Sequence, residues 1–327
     1  MNEEIDSVLK AFDLQPILVD IGASGAPPAV WAPIAYRSTY VGFDPDRRDL
    51  HDVRDGRYAR SIIVNEAVTS AQDLTDVSFH LTHSPHCSST LPPDTQALAD
   101  YLFSDLFQVE REASVPASSL SAVLHRLGLP GVDWFKTDSQ GTDLRLFQSL
   151  PDEVRRGVMA VDIEPGLIDA YQGEDLFVDA HRELLCQGFW LSSLEVKGSV
   201  RMKRTTLEDV ASRRSRLTDT DVYLSVRPSP GWCEARYLRT LKSLEDRGAL
   251  QRDYALLWVF AMIERQWGFA LDLANAYEQR FSQDGVSSML GDLPLRRIAG
   301  KRWQVRSVAR QVLPPGAKRL LGRLLRK

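Results

Sequence analysis

Three short stretches of this 327-residue chain place carboxylates, a lysine and glycines at spacings that can do chemistry. The first is Val19-Asp20-Ile21-Gly22-Ala23-Ser24-Gly25-Ala26, directly after the apolar run that starts at Ile17. Glycines at that point let the chain turn tightly and let a ligand approach the backbone. Asp20, at the end of the same run, suits a cationic or amine-bearing ligand. The second stretch, Val41-Gly42-Phe43-Asp44-Pro45-Asp46, comes about 20 residues later, the separation at which a carboxylate meets ribose hydroxyls in dinucleotide sites. Asp20, Gly22, Ala23, Ser24, Gly25 and Asp44 together describe a site for an adenosine-type cofactor. A nicotinamide dinucleotide would call for a G-x-G-x-x-G series, and counted from Gly22 the required glycines are Ser24 and Pro27, which argues against it.

The third stretch runs from Asp133 to Phe147: Asp133-Trp134-Phe135-Lys136-Thr137-Asp138-Ser139-Gln140-Gly141-Thr142-Asp143-Leu144-Arg145-Leu146-Phe147. A buried strand that ends in Lys136 and Asp138 and turns at Gly141 into a helix puts charges at a sheet edge where burial alone would not put them. Val161-Asp162-Ile163-Glu164 repeats the pattern of an apolar strand with an acidic end.

Parallel strands alternating with helices are needed to bring these ends together, and the pattern is present. Apolar runs at Ile17–Ile21, Tyr40–Phe43, Ser61–Val68, Val132–Thr137, Val158–Ile163 and Phe189–Glu195 alternate with helical stretches, as in a parallel sheet covered by helices. Val222–Val226 is a candidate for a last, antiparallel strand. Between the third and fourth runs lies an insertion with strand-like pieces at Val77–Thr82 and Phe107–Val115, around a loop holding His83, His86 and Cys87. After Pro228 the texture becomes helical, at Trp232–Arg247 and Gln251–Phe281. The expected division is therefore a Rossmann-like domain over 1–228, a helical subdomain over 229–295 and a basic amphipathic tail over 296–327.

A hydrophobic content of 43% supplies a large core and excludes a disordered chain. Cys87, Cys186 and Cys233 are odd in number and widely spaced, the pattern of free thiols in a reducing compartment rather than of a disulfide framework or a zinc site. No metal is expected, since His83, His86 and Cys87 lack a second cluster to complete a ligand set. With an acidic amino terminus and no long apolar stretch, the chain is expected to be cytoplasmic. From Arg296 onward there are 11 Lys and Arg and no Asp or Glu, interleaved with Leu, Val and Trp at helical spacing. Such a segment can lie on an anionic membrane surface, giving a peripheral address on the inner face, or can pack on the acidic body. That acidity argues against nucleic acid as a partner, and the helical region offers either a homodimer interface or an acceptor lid.

The segment from Asp133 to Leu144, the glycine loop at Val19-Asp20, Ser118–Leu124, Val161–Glu164 and Gln187-Gly188-Phe189 resemble the FkbM family of methyltransferases, over roughly residues 17 to 196. The resemblance implies a Rossmann-like class I methyltransferase sheet with an inserted loop region and a helical C-terminal extension. It implies S-adenosyl-L-methionine as cofactor and methyl transfer to a hydroxyl of a sugar, glycan or related metabolite. The family's loop has a further glycine near Ala26, and its helix-start Glu is Asp143 here. Proton removal from a hydroxyl acceptor needs a base. Asp138, also placed at the cofactor, and Glu164 are the candidates, with His86 as an alternative, and Lys136, His83 and Gln140 are candidate acceptor contacts. Two other readings stand beside this one: a non-catalytic binding or assembly subunit, which Ala26 favours, and a nicotinamide-dependent oxidoreductase.

Overall fold

The computed structural model describes residues 2–46, 56–213, 218–281 and 285–300. Helix α1 (Asn2–Ala11) leads into β1 (Ile17–Ile21) and β2 (Thr39–Phe43), followed by β3 (Arg60–Val64) and β4 (Ala67–Val68). The insertion carries β5 (Asp76–Thr82), α2 (Thr95–Leu98) and β6 (Val109–Ser118). Then come α3 (Leu120–Leu127), β7 (Trp134–Thr137), α4 (Asp143–Gln148), α5 (Asp152–Gly157), β8 (Ala160–Ile163), α6 (Phe177–Cys186) and β9 (Phe189–Ser199). The remainder is α7 (Arg204–Arg213), α8 (Asp219–Ser225), β10 (Ser229–Arg239), α9 (Leu241–Asp246), α10 (Gln251–Ile263), α11 (Trp267–Phe281) and α12 (Gly285–Gly300).

Seven strands form one mostly parallel sheet in the order β3-β2-β1-β7-β8-β10-β9, with β10 antiparallel to both of its neighbours. The chain is thus α/β, with helices on both faces of a Rossmann-like sheet. Strands β4, β6 and β5 make a second, three-stranded sheet, so the expected run Ser61–Val68 divides at Asn65 and Glu66 between the two sheets.

Alternation along the strands separates two cores. Val19, Val41, Phe135, Val161 and Tyr237 face α3, α4 and α6. The opposite face presents Tyr40, Leu18, Trp134, Ala160 and Leu238, a row of neighbours by register, to α1, α10, α11 and α12. Helix α10 is buried on every side from Tyr254 to Ile263, as a helix enclosed between a sheet and other helices must be. Asp133 ties its start to the sheet, accepting from Ile17 N at 2.8 Å and from Arg252 Nη2 at 3.1 Å.

Three expected elements are corrected. Val222–Val226 belongs to a helix, because Thr218 and Asp221 form a capping box that starts α8, Asp221 N donating to Thr218 Oγ1 at 3.2 Å and Thr218 N to Asp221 Oδ2 at 2.8 Å. The antiparallel strand is β10 instead, so the stretch after Pro228 enters the sheet and the helix expected from Trp232 begins only at Leu241. Gln251–Phe281 is two helices, broken where Arg265 takes a φ of 60°. Of the basic segment, residues 296–300 continue α12, where Arg296 pairs with Glu4 at 3.0 Å; the expected tail from 301 onward lies outside the described residues. No described helix is long and apolar enough to cross a membrane.

The enclosure of α10 is checked by truncation. Phe260, fully buried with its ring centroid 4.7 Å from that of Trp134, should cost about 3–5 kcal/mol as Phe260→Ala in urea unfolding. Leu224→Ala, at an 83% exposed position, should stay within about 0.5 kcal/mol. Equal midpoints for the two variants would mean that α10 does not form the core of that face.

Candidate functional site

The carboxyl ends of β1, β2, β7 and β8 meet at one edge of the sheet, where open α/β folds bind ligands. The turn after β1 is fixed by two backbone bonds, Gly22 N and Ala23 N both donating to Phe43 O at 2.9 Å. Gly22 has φ 75°, and a Cβ there would lie 2.1 Å from the carbonyl oxygen of Asp138. A side chain at 22 is therefore excluded twice, by conformation and by the β7 end packed against it. Gly25, also at φ 75°, has open space around it.

Two clefts flank this turn. The first, with about 710 Å³ of open space, is walled by Gly22, Ser24, Phe43, Asp44, Val68, Phe79, His86, Asp138 and Gln140 among others. Asp44 stands in its wall with the carboxyl pushed up to about 6, by burial first, against the backbone N–H of Asp46 that donates to it at 2.7 Å. The second cleft, with about 1190 Å³, lies on the α10 side and is lined by Asp20, Ser24, Lys136, Asp162, Glu164, Glu195, Glu234 and Arg236 among others. Ser24 lines both.

Between the clefts stand Asp138, on the first, and Glu164, on the second. Burial, then the charge and hydrogen bond of Asp138, push the Glu164 carboxyl up to about 9, so at neutral pH the pair holds a proton on Glu164. Asp138 Oδ1 also accepts from Gln140 Nε2 at 2.5 Å, and Gln140 Oε1 accepts from the Tyr171 hydroxyl at 2.8 Å. Asp143 holds both strand ends in place. Its Oδ1 accepts from Thr137 Oγ1 at 3.0 Å, from Ser139 N at 2.9 Å and from Ser139 Oγ at 2.5 Å, and its Oδ2 accepts from Glu164 N at 2.9 Å. Burial nevertheless pushes this carboxyl up to about 6.

The floor of the second cleft is a row of charges that crosses the sheet by register: Asp20, Lys136, Asp162 and Arg236. Lys136 Nζ donates to Asp20 Oδ1 at 2.6 Å, and the Tyr40 hydroxyl donates to Asp20 Oδ2 at 2.9 Å. Burial alone would lower the Lys136 ammonium, but Asp20 and Asp138 beside it outweigh this and hold it charged. Arg236 grips Asp162 through two bonds of 2.7 Å and reaches Glu264 at 2.5 Å.

The structure thus brings Gly22, Ser24, Asp44, Asp138, Gln140 and His86 to the first cleft, and Asp20, Lys136 and Glu164 to the second. Asp20, expected at a cofactor, has its carboxylate committed to Lys136 and Tyr40. Ala23 is buried beneath the turn. His83 is not brought to either cleft wall: its side chain is 66% exposed and meets Glu110 at 3.2 Å, because the loop bends away after β5. Among the described residues no group of three His, Cys, Asp or Glu side chains is arranged to hold a metal. Asp162, Arg236, Glu195 and Glu234 were not singled out by sequence. For Asp162 the acidic strand end was the available signal, while the residues of β10 had none once that strand was read as helix.

Carboxyls held protonated by the fold make it less stable as pH rises. Unfolded Asp and Glu ionise near pH 4, whereas folded Asp44 and Asp143 hold protons to about 6, Glu174 to about 7 and Glu164 to about 9. The folded state binds more protons between these limits, so their stabilising contribution is complete below pH 4 and is lost as pH climbs through the folded values. Glu164→Gln should therefore gain stability relative to the parent as pH rises from 5 to 9, by up to about 1.4 kcal/mol per pH unit. A pH-independent difference in unfolding free energy would rule out the shared proton.

Comparison of the chain with protein-family models, with curated proteins and with solved structures finds no match in any of the three.

Proposed function

We propose that this chain is an S-adenosyl-L-methionine-dependent methyltransferase acting on a hydroxyl of a sugar, glycan or related metabolite. The observation that carries the reading is that two clefts at the carboxyl edge of the sheet share a wall, with Asp138 on one and Glu164 on the other. One cleft has the features of a nucleoside site and the other has room for an acceptor. The order of the seven strands, with the reversed strand β10 set between β8 and β9, agrees with the class I methyltransferase sheet implied by the sequence resemblance. Fold alone would not decide function; the site supports it.

The first cleft fits the proposed cofactor on its own chemistry. Phe43, Val68 and Phe79 offer apolar surface for a purine, Asp44 is placed for ribose hydroxyls at the end of β2, and the side-chain-free face of Gly22 keeps the turn close to the β7 end. When bound, this cofactor supplies an electrophilic methyl group on a sulfonium.

The residues of the chain do the rest by placement and proton handling. With that cofactor bound, the second cleft would hold an acceptor hydroxyl facing the methyl group. Asp138, on the wall that the clefts share, would be the residue to receive the hydroxyl proton. Glu164, already carrying a proton, keeps its own carboxyl neutral and adds no second negative charge beside Asp138. Lys136 cannot act as the base, being held charged by Asp20, and contributes a fixed positive charge to the acceptor side. Much of the acceleration comes from holding acceptor and methyl group in line.

Calorimetry on the full chain tests the first half of the reading. S-adenosylmethionine and S-adenosylhomocysteine should bind saturably and NAD should not, with Asp44→Ala weakening the sulfur nucleotides by roughly 10- to 100-fold. Because the Asp44 carboxyl ionises at about 6, affinity should rise between pH 5 and 7.5 in the parent and lose that rise in Asp44→Asn. Absence of binding by folded protein would remove the cofactor and return the binding-subunit reading.

The second half is tested by turnover. With an acceptor identified by transfer of labelled methyl, Asp138→Asn at saturating cofactor should lower kcat by roughly 10²- to 10⁴-fold. An unchanged kcat would exclude Asp138 as the base.

A further inference from the structure

We propose that the second cleft selects an acceptor bearing an ammonium group, received at the facing carboxylates of Glu195 and Glu234, and that it rejects acceptors carrying phosphate. The proposal rests on the methyl-transfer reading and names the chemical class of its acceptor.

The argument starts from strand register. Glu195 on β9 and Glu234 on β10 stand directly opposite each other, and both line the cleft. Like charges at directly opposed positions of an antiparallel pair are destabilising. One cation serves them both: Lys197 Nζ lies 2.7 Å from Glu195 Oε1 and 3.3 Å from Glu234 Oε1. The same shortage recurs deeper in, where Arg236 serves both Asp162 and Glu264. Lys136 is committed to Asp20.

The consequence is a cleft whose negative charges exceed its positive ones. Among the described residues that line or adjoin it, Lys136, Lys197 and Arg236 face the five carboxyl groups of Asp20, Asp162, Glu195, Glu234 and Glu264, with Glu164 protonated beside them. A walled cleft with one sign of charge concentrates ligands of the other sign. Phosphate or carboxylate on the acceptor would meet net repulsion. An ammonium would find two carboxylates of the cleft wall that share one lysine, and it would donate its N–H groups to them in charge-assisted bonds. The side chains of Glu195 and Glu234 are 64% and 53% exposed, so an entering ligand can reach them, while Glu164 and Lys136 line the same cleft further in. Hydroxyls on the rest of such an acceptor can donate to the carboxylates of the floor.

The test uses the full chain and a panel of amino sugars, each beside its N-acetyl and its phosphorylated derivative. Titration with S-adenosylhomocysteine comes first and reports on the cofactor alone. The panel is then titrated in its presence, with labelled methyl transfer from S-adenosylmethionine as a second readout. Free amines are expected to bind about tenfold or more tightly than their N-acetyl partners, with phosphorylated members weakest and affinity falling as salt rises. The double variant Glu195→Gln, Glu234→Gln should remove the preference for amines and leave S-adenosylhomocysteine affinity unchanged. Equal or tighter binding of the N-acetyl or phosphorylated members, or binding of the nucleotide with no amine bound, overturns the proposal. If the nucleotide itself does not bind, the methyl-transfer reading fails, and the amine titration is made without it. Amine binding lost in the double variant then still assigns the cleft to cations, and no amine binding overturns that too.

Discussion

The arrangement depends on one buried carboxylate, that of Asp143. Four groups donate to it, from the end of β7, from the turn that follows and from the end of β8. A buried carboxylate is costly unless its lone pairs are occupied, and here the occupants are the segments that carry Asp138 and Glu164. The turn between Thr137 and Thr142 is consequently closed on a side chain rather than on a regular backbone ladder. Gln140 takes a φ of 57° within it, an uncommon backbone state for a residue with a side chain. It is held there by bonds to Ser89, Tyr171 and Asp138. Strain and compensation sit at the point where the two clefts meet, which is where local conflicts are expected in a functional fold.

The charged row across the sheet follows from a related constraint. Desolvating a single charge at the centre of a sheet would be prohibitive, and pairing it with an opposite neighbour reduces the cost without abolishing it. Asp20, Lys136, Asp162 and Arg236 alternate in sign along the register, so each charge has an opposite neighbour on the adjoining strand. Tyr40 adds a neutral donor at one end of the row, and Glu264 an acidic partner at the other. Such a row stabilises less than apolar packing of equal size would. The cleft above it accounts for its presence better than the stability of the sheet does.

Much of this was legible in the chain itself, and the reasons for the exceptions are physical. The short apolar runs ending in Asp44, Asp138 and Glu164 marked strand ends because a carboxylate directly after a buried run is tolerated where the strand leaves the core, whereas Asp20 lies within β1 and is kept there by Lys136 and Tyr40. Strand β10 escaped because Ser229–Arg239 begins with Ser-Pro-Gly and alternates small buried residues, Gly231, Cys233 and Ala235, with Trp232, Glu234 and Arg236. That pattern has neither the β-branched richness of a central strand nor a clean apolar face. Val222–Val226 misled in the opposite direction, since β-branched and aromatic residues there sit inside a helix started by its cap. The ion pairs could not be read at all: Lys136 and Asp20 are 116 positions apart, and only the order and register of the strands make them neighbours.

The position of the second cleft is set by the length of α10. One row of the sheet, Tyr40, Leu18, Trp134, Ala160 and Leu238, is apolar and belongs to the core that α10 helps to form. The next row toward the carboxyl edge is the charged one, two residues further along β1, β7 and β8 and two residues back along the antiparallel β10. The helix follows the strands from Arg252, bonded to Asp133 at the start of β7, and ends at Glu264, bonded to Arg236. The guanidinium of Arg236 lies over the Trp134 ring with its carbon 5.4 Å from the centroid, so the last apolar residue beneath the helix is capped by the first charge beyond it. A helix one turn longer would cover the charged row and require it to be apolar. Ending α10 at that level leaves the second cleft open over Asp20, Lys136 and Glu164, while Glu264 makes the end of the helix part of the charge balance there.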